Sequence, residues 1–403
     1  MERLRAWATG HPVDLAVFRI TVASVVLLSL DVWDAPKWAG AVGLAPVGWR
    51  TVASLLPAST AAAFVALGLV VVFTSLTLIG AWTRGSSVVA AVSLAWLLGV
   101  PQQSGLVLHT HHLVWFLALV ASGPSGDVVS FDAWRARKRG APVPGPSLAH
   151  GLPVRAAWLS IGLIFFFPGL WKLLGGASWL EGLPTLIAWK RLQLGLPRLE
   201  LSPMLIRAGG IGSVLFELSV GALLVFRRTR IVGVVAALAF HAGVQWVMGI
   251  AFSSLWSCYL VFVPWSRWFG SAPSAVSTAP SPRPALIVGA LLLGAQLTTG
   301  VLGLESAWPV ACYPTFRTRA PEQMRWVELQ TSEGIVVNVD RLRQGPNQRW
   351  WGLSEQAAWD PSRERLEGLF AMLLGRPPRE GEAIRWTRVT VDLRTGATTR
   401  EPL

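Results

Sequence analysis

Nine apolar runs occupy the chain as far as Leu302, and most approach the roughly 20 residues that a helix needs to cross a bilayer. Because a segment in lipid must satisfy its own backbone amides, runs of this kind form transmembrane helices. The third and eighth runs are short, and the seventh and eighth nearly touch. The runs are Val13–Trp33, Thr60–Trp82, Ser86–Val100, Leu106–Ala121, Arg155–Leu174, Ile206–Phe226, Ile231–Gly249, Ile250–Trp265 and Ala285–Leu302. The sequence therefore predicts an all-α polytopic membrane bundle of about nine transmembrane helices.

The composition agrees with this interpretation. Charged residues make up only 14% of the chain, whereas about 25% is usual in soluble proteins. The 22 tryptophans also suit a membrane protein, since indole rings prefer the membrane–water boundary. The net charge of +13 is better explained by basic cytoplasmic loops than by nucleic-acid binding, so no nucleic-acid partner is expected.

The basic residues favour one orientation of the bundle, because short loops rich in Lys and Arg remain in the cytoplasm. With the N-terminus inside, four connections fall on the cytoplasmic side, and the connection 175–205 is the basic exception outside. The basic residues of the four connections are Arg84, the run Arg135 to Arg139, the run Arg227 to Arg230, and Arg267 with Arg283. We expect a multi-pass protein of the cell inner membrane, with a cytoplasmic N-terminus and an extracytoplasmic C-terminus.

The composition becomes that of a soluble domain near Glu305. We therefore divide the chain into a transmembrane domain, 1–304, and a small extracytoplasmic α+β domain, 305–403. Two alternating segments separated by Ser332-Glu333-Gly334 are expected to pair as strands, and a helix and a further strand follow. These predicted elements are Met324–Leu329, Ile335–Val339, the helix Pro361–Leu374 and the strand Ile384–Leu393.

Ionisable residues inside the apolar runs are candidates for function, because burying charge in hydrocarbon costs free energy. Lys172 follows Pro168-Gly169, which interrupts helix regularity. One interpretation is a lysine that extends to the membrane boundary. The other is a general base, because desolvation favours the neutral amine.

Histidines and a glutamate form the second group of candidates. His109 and His112 share a helix face, and His241 can supply a third metal ligand or pair with Glu217 across neighbouring helices. Interfacial hydrogen bonding and proton transfer are the alternatives to metal binding. The two cysteines, Cys258 and Cys312, lack the spacing of a zinc site.

Several short motifs together resemble the vitamin K-dependent gamma-carboxylase and its bacterial relatives, the horizontally transferred transmembrane domain (HTTM) family. The resemblance covers about residues 10–302, and its motifs occur in the same order. They are His111-His112-Leu, which is similar to the family's Asn-His motif, Gly169-Leu-Trp171-Lys172-Leu173, Trp179-Leu-Glu181-Gly182, Phe216-Glu217-Leu218-Ser219 with Gly221, and Phe240-His241.

The resemblance implies a quinol-dependent carboxylase and epoxidase, a carbon–carbon lyase and monooxygenase in one. In that family a lysine deprotonates a reduced quinone, vitamin K hydroquinone or menaquinol. Reaction with oxygen then yields a strong base that removes a proton from the substrate, and carbon dioxide is captured. By this resemblance Lys172 is the base and His112 assists it. The cofactor-binding residues are His241, Glu217, His111 and Trp171, and no metal ligand is implied. The expected substrate is a peptide or a small molecule at the outer face, reached from the surrounding membrane lipid.

Two other functions remain open on the sequence. The chain can be a non-catalytic membrane subunit for the maturation or export of a secreted peptide, or a metal-dependent oxidoreductase that uses its histidines. The positions of the buried polar residues in the fold discriminate the membrane subunit from the enzyme. An enzyme requires Lys172, His112 and His241 to meet at one pocket open to lipid, whereas a lysine in bulk water favours the subunit.

Overall fold

The computed structural model describes residues 1–46, 49, 51–106, 109–270, 280–312, 321–343 and 350–403. The membrane part is built from helices, most of which overlap the apolar runs. The helices up to residue 301 are α1 (Glu2–Ala8), α2 (Pro12–Leu28), α3 (Leu30–Asp34), α4 (Thr60–Ile79), α5 (Thr83–Gln103), α6 (His111–Ser122), α7 (Phe131–Lys138), α8 (Leu148–Gln193), α9 (Pro203–Val225), α10 (Arg230–Met248), α11 (Ser253–Ser257), α12 (Ser266–Phe269) and α13 (Arg283–Val301). Short 3₁₀ helices cover Ala35–Leu44, Val52–Leu55 and Cys258–Phe262.

Six helices of the described residues are long and apolar enough to cross a membrane: α4, α5, α8, α9, α10 and α13. A seventh crossing results if α2 and the segment Leu30–Leu44, bent by 46° from it, count as one. The predicted fourth and eighth spans correspond to the shorter apolar helices His111–Ser122 and Ser253–Phe262. Twelve residues of helix extend about 18 Å, less than the roughly 30 Å of hydrocarbon. The polytopic helical bundle is thus confirmed, whereas the number of nine spans is not.

Helix α8 continues far beyond the predicted end of the fifth span. It covers 46 residues and breaks at Gly176, whose φ of 55° and ψ of −134° are not helical. A side chain would be strained in this conformation, so glycine suits the break. The helix resumes because Trp179, Leu183, Leu186 and Ile187 recur at helical spacing and are buried together with Val214. The interpretation of 175–205 as a loop is therefore wrong for its first half.

Helices α8 and α9 approach each other closely through glycines. A Cβ built on Gly162 would lie 3.3 Å from the Cα of Gly221. One built on Gly169 would lie 2.8 Å from the Cβ of Glu217 and 3.2 Å from the backbone nitrogen of Leu218. Small residues permit this approach in membranes, where packing drives association. The contact brings Lys172, one turn beyond Gly169, towards Glu217.

The C-terminal region forms a four-stranded antiparallel sheet in the order β2-β1-β3-β4. Its elements are β1 (Gln323–Thr331), β2 (Val336–Val337), α14 (Val339–Arg343), α15 (Trp351–Trp359), α16 (Arg363–Leu374), β3 (Ile384–Asp392) and β4 (Thr398–Pro402). Leu329 is registered with Val337, so the predicted hairpin is confirmed. The predicted helix and the strand at 384 are confirmed as α16 and β3. Strand β4 escaped prediction because its five residues are all exposed and do not alternate.

The sheet domain packs on one end of the helical bundle. Trp38 and Trp350 meet edge to face, with ring centroids 5.0 Å apart. Arg365 Nη2 donates to the carbonyl of Ala45 at 3.0 Å, and Trp189 Nε1 donates to Glu355 Oε1 at 3.1 Å. The domain therefore covers the end of the bundle at which α8 finishes.

Both cysteines are buried. Cys258 and Cys312 are each 0% exposed and both are free thiols.

Candidate functional site

A cavity of about 570 Å³ lies between α8, α9, α10 and the start of α11. Its wall is mostly apolar and strongly aromatic. Phe216 and Phe240 stack with centroids 4.6 Å apart, and Phe165 meets both rings edge-on. Two further lining residues, Leu205 and Trp246, are exposed on the outside of the bundle. The cavity consequently opens at the apolar outer surface of α9 and α10, which faces lipid in a membrane-spanning bundle.

Lys172 and Glu217 form a buried ion pair at this cavity. Lys172 Nζ donates to Glu217 Oε1 at 2.5 Å, and the side chains are only 7% and 5% exposed. Lys172 Nζ also lies 5.5 Å from the centroid of the Trp179 ring. Two charges in hydrocarbon must compensate each other, so the pair explains how both are tolerated at this depth.

The cavity also contains polar atoms that the protein itself leaves without a partner. Among the described residues, Glu217 Oε2, Trp179 Nε1 and His241 Nδ1 form no hydrogen bond of ordinary geometry, although Ser213 lies close to Glu217. Glu217, Trp179 and His241 line the cavity, and so does Ser213. Buried polar atoms normally find a partner, and leaving one unsatisfied costs about 1–3 kcal/mol. This arrangement suits a ligand that is apolar over most of its surface and carries a few polar atoms.

His109 and His112 reach the same cavity from the start of α6. His112 is fully buried and neither ring nitrogen forms a hydrogen bond of ordinary geometry within the described residues, although the carbonyls of His109 and Ser254 lie nearby. The ring of His109 contacts Phe252, with centroids 5.8 Å apart. Phe252 in turn lies 5.5 Å from the ring of His241, so these aromatic rings form one continuous wall.

His241 takes a different partner from the one that the sequence suggested. Its Nε2 is 2.7 Å from the hydroxyl of Tyr259, whereas Glu217 binds Lys172. The predicted pair of Glu217 with His241 is therefore wrong. The reason is tertiary: the glycine contact between α8 and α9 places Lys172 closer to the carboxylate.

Two predicted cofactor-binding residues lie elsewhere. Among the described residues, the cavity lining includes neither His111 nor Trp171. His111 Nε2 lies 3.4 Å from Gln102 Nε2, and its ring meets that of Trp308 edge-on at 4.4 Å. Trp171 Nε1 donates to the carbonyl of Gly300 at 2.8 Å. Both residues hold helices together in this structure.

A metal centre is not assembled in the described part of the chain. It contains no group of three or more His, Cys, Asp or Glu residues placed to hold an ion. His109, His112 and His241 do line one cavity, but they do not converge as a ligand set.

Sequence reasoning missed Trp179 and Tyr259 as site residues. Trp179 belongs to a motif of the resemblance, but its segment was interpreted as a loop. Tyr259 is one of only two tyrosines in the chain. A lone phenol in an apolar run, where tryptophan is the usual aromatic, was the signal that could have identified it.

Comparison with known proteins places this site within one family domain. The family model for the HTTM domain matches residues 9–265, and that range contains every cavity-lining residue described above. No curated protein and no solved structure matches the chain significantly.

Proposed function

The chain belongs to the HTTM family, and from that premise we propose that it is a membrane-embedded, quinol-dependent enzyme related to the vitamin K-dependent carboxylase. The observation that carries the proposal is the convergence of Lys172, Glu217, His112 and His241 on one apolar cavity open to the lipid-facing surface. This is the arrangement that an enzyme requires and that a non-catalytic subunit does not.

The residues of the cavity fit a reduced quinone. Such a molecule is a flat apolar ring with a hydroxyl group at each of two ends, and it partitions into lipid. The volume of about 570 Å³ is in the range of small-molecule sites, and the aromatic wall suits a flat ring. Glu217 Oε2, Trp179 Nε1 and the unbonded nitrogens of His112 and His241 can meet its polar atoms. When bound, the quinol supplies the electrons with which oxygen is activated.

The ion pair supplies the proton acceptor. One proton is shared between Lys172 and Glu217, and the pair is electrically neutral whether that proton lies on the amine or on the carboxylate. A neutral pair costs less in hydrocarbon than a single ion. When Glu217 holds the proton, Lys172 presents a free amine to the cavity and acts as the general base. Glu217 is then the positioning residue that sets the protonation of the base.

The histidines orient and bind polar atoms. His112 assists by a hydrogen bond to an oxygen atom of the bound molecule. Its buried ring can donate or accept this bond without breaking a hydrogen bond within the protein. The hydroxyl of Tyr259 lies 2.7 Å from Nε2 of His241 and fixes the orientation of the imidazole ring. This contact therefore also fixes the direction in which Nδ1 of His241 points. The apolar wall excludes water, which would quench a strong base.

We further propose that the substrate is a peptide or a small molecule that arrives at the outer face, and that carbon dioxide is the group added. The outer face is the side of the sheet domain, because the orientation that we propose places the N-terminus in the cytoplasm and the sheet domain outside it. Support comes from the basic residues of the 131–139 connection and of the turn 227–230, at the ends of the helices away from the sheet domain.

The experiment measures oxygen uptake by purified protein in detergent after addition of menaquinol. We expect uptake that Lys172→Ala abolishes and that Lys138→Ala leaves unchanged, since Lys138 is an exposed lysine outside the cavity. Binding of menaquinone to the same variants is measured separately. Uptake that survives Lys172→Ala contradicts the assignment of the base. A wild-type protein that neither binds menaquinone nor consumes oxygen contradicts the enzyme and favours the maturation subunit.

A further inference from the structure

A second cluster of charge lies at the opposite end of the bundle from the sheet domain, around Trp158. The guanidinium carbon of Arg155 is 3.8 Å from the centroid of the Trp158 ring, and that of Arg230 is 3.9 Å from it. Trp158 is 3% exposed, and its Nε1 donates to the carbonyl of Val261 at 3.0 Å. The indole is thus a fixed platform that holds two like charges as near neighbours.

Among the described residues, no carboxylate lies within ion-pair distance of Arg155 or Arg230. Arg230 also repels Arg227 and Arg267. In the described part of the chain none of these arginines forms an ion pair, and the hydrogen bonds of Arg155 and Arg230 go to backbone carbonyls. Asp14 attracts Arg155, but both of its oxygens already accept hydrogen bonds from Ser266.

Exposed aromatic residues beside this cluster indicate a position close to the membrane boundary. Phe226, Trp268 and Phe269 are each 65% exposed, and each is within a few residues of Arg227 or Arg267. Tryptophan rings such as that of Trp268 are enriched at the level of the lipid headgroups. A cluster of guanidiniums at that level meets lipid phosphates before it meets solutes.

We propose that Arg155 and Arg230, with Arg227 and Arg267 around them, bind the phosphate of an anionic phospholipid. The planar guanidinium groups suit phosphate oxygens, which they bind in pairs. Basic pockets between transmembrane helices on the cytoplasmic side bind such headgroups, and that leaflet is the anionic one. The bound lipid offsets the repulsion among the arginines and joins α1, α8, α10 and α12. This site is separate from the cavity and does not depend on its function.

The test compares lipids on the full-length protein in detergent. Phosphatidylglycerol and phosphatidylcholine with the same acyl chains are titrated, and bound lipid is counted by native mass spectrometry. We expect phosphatidylglycerol to bind at least tenfold more tightly than phosphatidylcholine. Each removed guanidinium should lower that affinity about fivefold, so Arg227→Gln with Arg267→Gln should lower it about 25-fold. Arg155→Gln also removes one guanidinium and should lower the affinity for phosphatidylglycerol about fivefold.

The control is Arg207→Gln, which removes an exposed arginine from α9 on the other side of the bundle. It should leave the preference unchanged. Arg227 and Arg267 are exposed, so their replacement should not disturb folding. Their double variant therefore tests the lipid site even if Arg155→Gln does not fold. Equal binding of the two lipids to wild type, or an unchanged preference in the double variant, overturns the proposal. Displacement of phosphatidylglycerol by equimolar inorganic phosphate would show that the site binds free phosphate, and would contradict a lipid ligand.

Discussion

The ion pair of Lys172 and Glu217 gives the sharpest quantitative prediction. Both side chains are almost completely buried, and their charged atoms are 2.5 Å apart. Removing one partner leaves an uncompensated charge in a low-dielectric interior, at a cost of about 3–5 kcal/mol. We therefore expect Lys172→Met and Glu217→Leu each to lower the free energy of unfolding by about that amount.

The double variant should behave differently from the sum of the two single variants. With both charges gone, no ion remains buried at this position, and replacing a buried pair by apolar residues is often neutral. We expect Lys172→Met/Glu217→Leu to be more stable than either single variant, with a coupling energy of about 3 kcal/mol or more.

The assay is unfolding in mixed micelles with increasing sodium dodecyl sulfate, followed by tryptophan fluorescence. A cycle on Arg363 and Glu367, an exposed pair of the sheet domain, is the matched control and should give a far smaller coupling than the buried pair, because water screens exposed charges. Additive effects of Lys172→Met and Glu217→Leu would refute the reasoning, because they would mean that the two charges do not depend on each other.

Three further predictions test the cavity, the helix contact and the sheet domain. Gly212→Leu should lower the affinity for menaquinone at least tenfold, about 1.4 kcal/mol, because a Cβ there meets open cavity space. Gly294→Leu, on α13 and equally open, is its control in the same titration. Gly169→Leu should abolish oxygen uptake and cost about 1–3 kcal/mol in the detergent unfolding assay, since it forces α9 away from α8. Burial raises the pKa of Glu355 from 4.5 to about 7, against the opposing effects of Trp189 and Lys190. The unfolded chain then binds fewer protons than the fold, so stability falls by about 3 kcal/mol as the pH rises from about 4.5 to about 7. Urea unfolding across that range should show this slope, and Glu355→Gln should flatten it.

The membrane character and the sheet domain were predictable because each depends on local pattern. Apolar length identifies a helix in lipid, and alternation identified β1 and β3. The number of crossings was not predictable in this way. Helix α6 is apolar but only 12 residues long, and the sequence alone does not reveal where an apolar run stops being helical.

The composition of the site was partly predictable, but its pairing was not. A lysine, a glutamate and histidines in apolar runs were recognisable as candidates because such residues are costly in lipid. Which of them meet depends on the approach of α8 to α9, and Gly162, Gly169 and Gly221 determine that approach together. The Gly175-Gly176 pair agrees with the predicted end of the fifth run at Leu174. The apolar pattern did not predict that the helix resumes after the break at Gly176 and brings Trp179 to Lys172.

The two buried thiols make the protein suitable for labelling. Water-soluble maleimides should not reach Cys258 or Cys312 while the fold is intact, because each has 0% exposure. A cysteine introduced at a single exposed position therefore reports its own surroundings against a silent background. Arg139→Cys and Arg394→Cys, placed in the basic connection and in the sheet domain, would be modified from opposite sides of a sealed vesicle if the orientation proposed above holds.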